Sequence, residues 1–371
     1  MSASQGSRYL LVTPCRDEAD HAQRTIDSVV AQTVQPAKWI IVDDGSTDGT
    51  PEILARAAAA HDWIQIVRRE DRGKRSVGPG VIDAFYAGYE TINPTDYGFV
   101  CKFDLDLDLP PEYFERVMQA MHADPRLGTF SGKPYFPPAV LTGGIPPTHQ
   151  ELLVNGAADV NPRAASPNAP ASINAPHFDV SDLTSEACGD EMSVGMIKFY
   201  SRHCFEQIGG FVREVMWDGI DCHRCRMLGW KAGSSDDPAL RFVHLRPMGS
   251  SHKGILTGRA RHGFGQYFMG TGIAYMAASA VFRMSRKPVV IGGLAMFWGY
   301  LRSMLTRQPR YGDAAFRRFL RSYQWAALFK GKAKATAELD AAGAQRWTPP
   351  TPTTPPTDNT PAETDPQANA A

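Results

Sequence analysis

Two groups of carboxylates in the N-terminal half of the sequence each follow a run of apolar residues. The first is Asp43-Asp44, directly after Trp39–Val42. The second alternates with leucines and consists of Asp104, Asp106 and Asp108. If that segment is extended, its three carboxylates share one face, because alternate side chains of a strand point the same way. Such a face repels itself unless it is neutralised, and an oxygen-preferring Mg²⁺ or Mn²⁺ ion is the natural partner.

Both groups also have a purely structural interpretation. Asp and Ser residues after a strand commonly hydrogen-bond to their own backbone in a turn, which would account for Asp43, Asp44 and Ser46. The second group would then be a solvated acidic strand end. That interpretation leaves the alternating leucines and the preceding apolar run unexplained.

Strand and helix signals alternate along this half of the chain. Apolar runs predict strands at 9–13, 39–42, 64–67 and 97–103, and helical patterns lie between them at about 18–31, 50–61 and 81–91. This alternation predicts an α/β fold with a mostly parallel sheet that is covered on both faces. Ligands of such sheets bind beyond the carboxyl ends of the strands, which is where both carboxylate groups lie.

Composition divides the remaining chain into distinct regions. Residues 134–180 hold nine of the 28 prolines and predict a long loop or lid. Residues 251–335 carry 15 Lys/Arg and one acid, whereas residues 1–250 carry a net charge of −10. We therefore predict an α/β domain over 1–250, a basic helical region over 251–335 and a disordered tail over 336–371, where prolines concentrate after Thr348.

Two uncharged stretches in the basic region suggest a membrane surface as partner and not nucleic acid. Pro288–Leu301 would form a helix about 21 Å long, short of a hydrocarbon core of about 30 Å. Gly263–Phe282 contains four glycines and is flanked by basic residues on both sides, which disfavours spanning. We expect basic amphipathic helices on the inner face of the cell membrane. A spanning segment and a helical extension packed on the α/β domain are the alternatives.

The cysteines and the first residues indicate a cytoplasmic protein. Residues 1–25 lack an apolar stretch of signal-peptide length, and six scattered cysteines are expected to be reduced thiols. The one close pair, Cys222 and Cys225, has no second pair at zinc-ribbon spacing, so we expect no structural metal there.

Five segments in order resemble one known family. They are LLVTPCRDE, IIVDDGSTDGT, KFDLDLDLPPEYF, GMIKFYSRHCFEQIGGF and WDGIDCHRCRMLGWK, spread over roughly residues 8–250. Together they resemble the family 2 glycosyltransferases, whose nucleotide-sugar-binding domain is called GT-A. The resemblance implies an inverting enzyme that uses Mg²⁺ or Mn²⁺. Such an enzyme moves a sugar from a nucleoside-diphosphate donor to a hydroxyl of a lipid-linked or cell-surface glycan acceptor.

The resemblance also implies roles for individual residues. Pro14, Arg16 and Glu18 match the loop that contacts the nucleoside, and Asp44 matches the acid that hydrogen-bonds the base. Asp104 and Asp106 match the Asp-x-Asp motif at the donor, whose second aspartate ligates the metal. Lys74 could meet the diphosphate or lie in a solvated loop. His244 could contact metal or phosphate, or be structural.

The general base has two candidates. Asp218 occupies the aspartate position of the family's Glu-Asp motif, although Trp217 replaces the glutamate. Asp218 and Asp221 also have the spacing of an N-cap and its third helical position in a helix predicted at 219–228. We expect Asp218 to be the base and Asp221 to be structural, with Glu191 the next carboxylate to test.

Two other functions remain open. A catalytically inactive nucleotide-sugar-binding scaffold at the membrane would accommodate Trp217 and the long 134–180 loop. A sugar nucleotidyltransferase would share the α/β architecture, but the glycine-rich N-terminal loop expected of that class is missing.

Overall fold

The computed structural model describes residues 7–73, 78–136, 184–185, 189–246, 255–285 and 288–349. Lys74, nearly all of the predicted 134–180 loop and most of the predicted tail lie outside these residues.

A seven-stranded sheet forms the centre of the N-terminal part. Its strands are β1 (Tyr9–Cys15), β2 (Lys38–Asp43), β3 (Ile64–Arg68), β4 (Phe99–Phe103), β6 (Leu127–Ser131), β9 (Ile197–Ser201) and β10 (Lys231–Ser234). Their order in space is β10-β6-β9-β4-β1-β2-β3, and only β9 runs antiparallel to its neighbours. The predicted α/β fold with a mostly parallel sheet is therefore confirmed.

Helices cover both faces of this sheet. They are α1 (Ala19–Val30), α2 (Thr50–Ala60), α3 (Pro79–Tyr89), α4 (Tyr113–Ala123), α5 (Arg202–Gln207) and α6 (Trp217–Met227). Leu11 and Ile41 face a core that α1, α2 and α4 complete, whereas Leu10 and Ile40 face a second core shared with α3, α5 and α6. Because both faces are buried, the central strands are near-continuous apolar runs.

A smaller sheet follows the end of β4 and changes the geometry predicted for the second carboxylate group. It contains β5 (Leu107–Asp108), β11 (Phe242–His244), β7 (Pro134–Phe136) and β8 (Thr184–Ser185). The chain turns between Phe103 and Leu107, so Asp104, Asp106 and Asp108 do not share the face of one strand. The antiparallel pairing of β5 with β11 places His244 opposite Leu107.

Five helices follow the α/β part. They are α7 (Ile255–Met269), α8 (Ile273–Met284), α9 (Ile291–Leu305), α10 (Ala314–Lys330) and α11 (Lys332–Gly343). A Cβ on Gly263 of α7 would overlap the Met296 carbonyl oxygen, and one on Gly299 of α9 would overlap that of Ala260. The backbones of α7 and α9 are therefore in direct contact. No helix in the described ranges is long and apolar enough to cross a membrane.

These helices pack against the α/β part. Met269, Phe316 and Leu320 form a buried cluster with Ile220 of α6. Arg226 Nε lies 3.0 Å from the Asp340 carboxylate of α11. The predicted start of a disordered tail at residue 336 is wrong, because α11 runs through that position and the described chain continues to residue 349.

Candidate active site

A cavity of about 650 Å³ opens at the carboxyl ends of β1, β2 and β4. Its lining includes all of the predicted site residues that the structure describes: Pro14, Arg16, Glu18, Asp44, Asp104, Asp106, Asp218 and His244. The ninth predicted residue, Lys74, lies outside the described residues. The topology of the sheet thus brings together side chains that are up to 230 positions apart in the sequence.

The first loop, at residues 14–18, is tied to the loop after β2. The backbone N–H of Glu18 donates to Thr50 Oγ1 at 2.8 Å, and that of Asp17 donates to Ser46 Oγ at 2.9 Å. Asp43 accepts from the Ser46 N–H at 2.8 Å, so its role is the structural turn that the sequence also allowed. These bonds fix the position of both loops at the cavity.

Arg16 and Asp44 lie at one end of the cavity and have partners of their own. Arg16 donates to the Asp44 carbonyl oxygen at 3.0 Å and to the Asp71 carboxylate at 2.6 Å. The Asp44 carboxylate accepts from Arg69 at 2.8 Å and also from Arg72. Because its guanidinium is held at both nitrogens, Arg16 offers a fixed plane on which an aromatic ring can stack. Arg69, Arg72 and Asp71 were not anticipated from the sequence.

The three carboxylates of the second group have three different basic partners. Asp104 pairs with Lys102, and Asp108 pairs with Arg24 at 2.7 Å. Asp106 lies 2.6 Å from Arg246 Nε and 3.3 Å from His244 Nε2. Each of the three carboxylates is therefore neutralised by a separate side chain, and the prediction that they form one self-repelling face is wrong.

Asp106 is the member of this group whose neighbours lower its pKa most strongly. Burial alone would raise its pKa, but a hydrogen bond from His244 and the charge of Arg246 outweigh burial. They hold the pKa of Asp106 well below its usual range, so the carboxylate is ionised. Arg246 also donates to Glu18 at 2.9 Å, which links the first loop to this group.

The environment of Asp106 fits a divalent cation bound in one particular way. Asp106 Oδ1 is buried and has no hydrogen-bond partner among the described residues. In the same part of the chain, no group of three or more His, Cys, Asp or Glu side chains is arranged to hold a metal ion. Mg²⁺ commonly binds through one or two carboxylates plus phosphate oxygens. Asp106 and Asp104 suit that arrangement, in which a bound phosphate completes the site.

Asp218 contributes a carboxylate without a partner. Helix α6 begins after Met216, which is its N-cap residue. The backbone of Met216 is left-handed, with a φ of 64°. Asp218 therefore lies in the first turn, so the structural alternative in which it caps the helix is wrong. It contacts Gly195, where a Cβ would lie 2.7 Å from Asp218 Oδ2. Within the described ranges, no hydrogen bond or ion pair reaches its carboxylate.

Asp221, the competing carboxylate, is held in a buried ion pair. Its two oxygens lie 2.7 and 2.6 Å from Lys198 Nζ, and the Tyr200 hydroxyl also donates to it. Burial would lower the pKa of Lys198, but the charge of Asp221 outweighs that effect and raises it. Asp221 is 1% exposed and does not line the cavity.

Trp217, which stands where the family motif has glutamate, lies close to two buried amines. Lys102 Nζ is 5.2 Å and Lys198 Nζ is 5.8 Å from the centre of its ring. A tryptophan ring attracts cations through its π face. Trp217 thus covers Lys102, which in turn holds Asp104.

One wall of the cavity is built from the basic helical region. Gly258, Arg261, His262 and Gln266 of α7 line it, as does Lys332 at the start of α11. Lys332 pairs with Glu191, so the carboxylate considered as a substitute base has a cationic partner. These residues were missed because the sequence assigned residues 251–335 to a membrane surface. The helical spacing of Gly258, Arg261, His262 and Gly265 was the available signal.

Comparison with known proteins identifies the first part of the α/β region. Residues 10–139 match the family model described as Glycosyl transferase family 2. This segment is a family 2 glycosyltransferase domain. It includes Pro14, Arg16, Asp44, Asp104 and Asp106, whereas Asp218 and helix α7 lie beyond the matched residues.

Individual proteins that match this segment share less than 30% of its residues. A poly-beta-1,6-N-acetyl-D-glucosamine synthase of Staphylococcus aureus (strain MSSA476) is 28% identical over 131 residues. That match covers 35% of this chain and 29% of the relative, so the chain spans less than a third of the curated relatives that it matches.

Two solved structures are similar to most of the chain. The mannosyltransferase PcManGT from Pyrobaculum calidifontis, in complex with GDP-Man and Mn²⁺, has a TM-score of 0.45 and 18% identity, covering 91% of this chain and 86% of its own. S. aureus TarS 1–349 in complex with UDP has a TM-score of 0.40 and 12% identity, covering 90% of this chain and 82% of its own.

Proposed function

We propose that this protein transfers a sugar from a nucleoside-diphosphate donor to a hydroxyl of a glycan or lipid-linked acceptor, with a divalent cation and with inversion. One observation carries this proposal. Arg16 and Asp44, the buried free oxygen of Asp106, and the unpaired carboxylate of Asp218 line the same cavity. The cavity of about 650 Å³ has the volume of a small-molecule site.

The donor side of the proposal uses the ends of β1, β2 and β4. The nucleoside would lie at Arg16, Pro14 and Asp44, with the base stacked on the Arg16 guanidinium. Asp104 and Asp106 would hold Mg²⁺ or Mn²⁺ together with the diphosphate oxygens. When bound, the cation neutralises the charge that develops on the leaving diphosphate. Lys74, outside the described residues, is proposed as a further contact to that group.

Other donor-side residues would orient these groups. Arg246 holds Asp106 and Glu18 together, so the metal-binding carboxylate and the nucleoside loop keep a fixed spacing. His244 contacts Asp106 Oδ2 and leaves Oδ1 of the same carboxylate unpaired. His244 also remains a proposed contact for metal or phosphate.

The acceptor side of the proposal uses Asp218. An ionised carboxylate that accepts no hydrogen bond is free to take the proton of an acceptor hydroxyl as that hydroxyl attacks the anomeric carbon. Attack from the side opposite the leaving diphosphate inverts that carbon in a single displacement, so no covalent glycosyl-enzyme forms. Asp221 stays bound to Lys198 throughout.

Release of nucleoside diphosphate from a panel of donors, with and without Mn²⁺, tests this proposal. We expect one donor to give Mn²⁺-dependent release in the parent protein and loss of transfer in Asp218→Asn. Nucleotide binding by the parent without release from any donor would instead support a catalytically inactive scaffold. The same panel identifies the donor sugar and the nucleobase.

We also propose peripheral attachment to the inner face of the cell membrane. Eight large apolar side chains of the C-terminal helices are at least half exposed: Val281, Phe282, Ile291, Leu294, Trp298, Leu305, Trp325 and Phe329. Basic residues follow them closely, as in Arg283 and Arg302 at the ends of α8 and α9. Apolar side chains beside cations suit the boundary of an anionic bilayer. The five described cysteines are free thiols, which supports a reducing compartment.

Flotation with liposomes that contain an anionic lipid tests the attachment. Replacing Phe282, Leu294 and Trp298 by serine should abolish flotation of the full chain at unchanged folding. Leu228→Ser is the matched control, because Leu228 is an exposed apolar residue of the α/β part. Equal flotation of the triple variant and the parent, or no flotation of the parent, would contradict this attachment.

A further inference from the structure

We infer that helix α7 forms an anion-binding subsite for the acceptor, in which Arg261 binds a phosphate or carboxylate carried by the acceptor. This inference rests on the proposed function, because it names a substrate class for the same cavity. The cations on the cavity wall fall into two kinds.

Most cations that line the cavity are already neutralised. Lys102 pairs with Asp104, Arg246 with Asp106 and Glu18, and Lys332 with Glu191. Arg16 pairs with Asp71 at 2.6 Å. Each of these cations is therefore occupied by the protein's own carboxylates before any ligand enters.

Arg261 differs from them. It is half-buried and lines the cavity, yet no hydrogen bond or ion pair reaches its guanidinium from the described residues. Burial lowers its pKa, and no neighbouring acid offsets that effect. A desolvated cation without a partner is costly, and a ligand that supplies the missing charge removes that cost. The planar guanidinium suits the two oxygens of a phosphate or carboxylate.

The position of Arg261 assigns that ligand to the acceptor and not to the donor. Gly258, Arg261, His262 and Gly265 lie on one face of α7 because they are spaced by three and four residues. On that face, a Cβ at Gly265 would overlap the side chain of Met216, the residue that caps α6. Asp218 lies in the first turn of α6. Burial lowers the pKa of His262, the neighbour of Arg261 in α7, and the charge of Asp218 opposes that effect. Arg261 therefore enters the cavity from the helix that contacts the start of α6, whereas the proposed diphosphate ligands lie on the β4–β5 turn.

Binding of simple sugars to the nucleotide-saturated protein tests this inference. The probes are glucose 6-phosphate, glucuronate and glucose, each titrated by calorimetry into the full chain with Mn²⁺ and the nucleoside diphosphate. We expect one of the anionic sugars to bind about ten- to a hundredfold more tightly than glucose, the range of one charge-assisted contact. Preference for glucose 6-phosphate identifies a phosphate, and preference for glucuronate identifies a carboxylate.

Variants show whether Arg261 is responsible. Arg261→Gln should abolish the preference for the anionic sugar and leave nucleotide–Mn²⁺ affinity unchanged, and Arg261→Lys should restore part of it. Arg259→Gln is the matched control, since Arg259 belongs to the same helix but lies near Gly292 of α9, not on the cavity. Equal or absent binding of all three sugars would overturn the inference, as would a loss of nucleotide affinity in Arg261→Gln. Failure of the parent to bind any nucleotide with Mn²⁺ would instead refute the proposed function.

Discussion

Replacing Asp221 by asparagine separates the structural carboxylate of α6 from the proposed base. Asparagine keeps the shape of the side chain but removes the charge that neutralises Lys198, whose side chain is 0% exposed. Removing one partner of a buried ion pair costs about 3–5 kcal/mol, because the other charge stays buried. Lys198 keeps the Asp218 carbonyl oxygen at 2.6 Å, so we place the loss near the lower bound, at about 3 kcal/mol.

Urea unfolding followed by tryptophan fluorescence measures this loss as a lower midpoint at an unchanged slope. Asp218→Asn is the control, because the Asp218 carboxylate has no partner to lose. This substitution should change the free energy of unfolding by less than about 0.5 kcal/mol. The double variant Lys198→Met/Asp221→Leu should recover most of the stability, since apolar residues of similar volume replace a buried pair at little cost.

Single-turnover transfer completes the comparison. Below the unfolding transition, Asp221→Asn should keep most of its transfer rate, whereas Asp218→Asn should lose a factor on the order of 10²–10⁴. An Asp221→Asn protein that unfolds at the parent's midpoint but no longer transfers sugar would refute this reasoning and make Asp221 the base. If both variants remain active, Glu191 is the next carboxylate to replace.

Three further predictions concern the donor side and the response to pH. Asp106→Ala should abolish Mn²⁺-dependent nucleotide binding in calorimetry, whereas Asp108→Ala should retain it, because Asp106 lines the cavity and Asp108 does not; equal losses would argue against this assignment. Asp44→Ala should raise the donor KM at nearly constant kcat, and a fall in kcat alone would contradict a ground-state contact. Burial, followed by the charge of Arg226, lowers the pKa of His223 to about 3. Between about pH 6.5 and 3 the unfolded chain therefore binds a proton that the folded chain does not, which costs about 1.4 kcal/mol of stability per pH unit as pH falls. Urea unfolding at pH 7, 6 and 5 should show that the free energy of unfolding falls less with pH in His223→Gln than in the parent. The same pH dependence in both proteins would contradict this prediction.

The sequence predicted the elements whose residues carry the signal locally. Trp39–Val42 reads as a strand because a strand buried on both faces must be apolar throughout, and the structure places it in β2. Asp44 and Asp106 stood out because carboxylates that follow such strands collect at one edge of the sheet. For these residues the physical cause lies within a few positions of the residue itself.

The remaining features depend on contacts between distant segments. Arg24 is 84 positions from Asp108, and nothing in the alternating Asp-Leu pattern indicates that this carboxylate is neutralised by an arginine of α1. Helix α11 has no apolar stripe, and its packing rests on tertiary contacts such as that of Asp340 with Arg226. Met216 adopts a left-handed conformation that a non-glycine residue rarely prefers, so the start of α6 was misplaced.

The glycine contacts between α7 and α9 couple the orientation of Arg261 on α7 to that of Trp298 on α9. Since the two backbones touch at Gly263 and Gly299, neither helix can rotate or slide without moving the other. Arg261 points from this pair into the cavity, and Trp298 points from it into the surroundings, with 60% of its surface exposed. A surface that binds Trp298 would therefore also fix the orientation of Arg261. A molecule held in that surface would then approach Asp218 from one direction only.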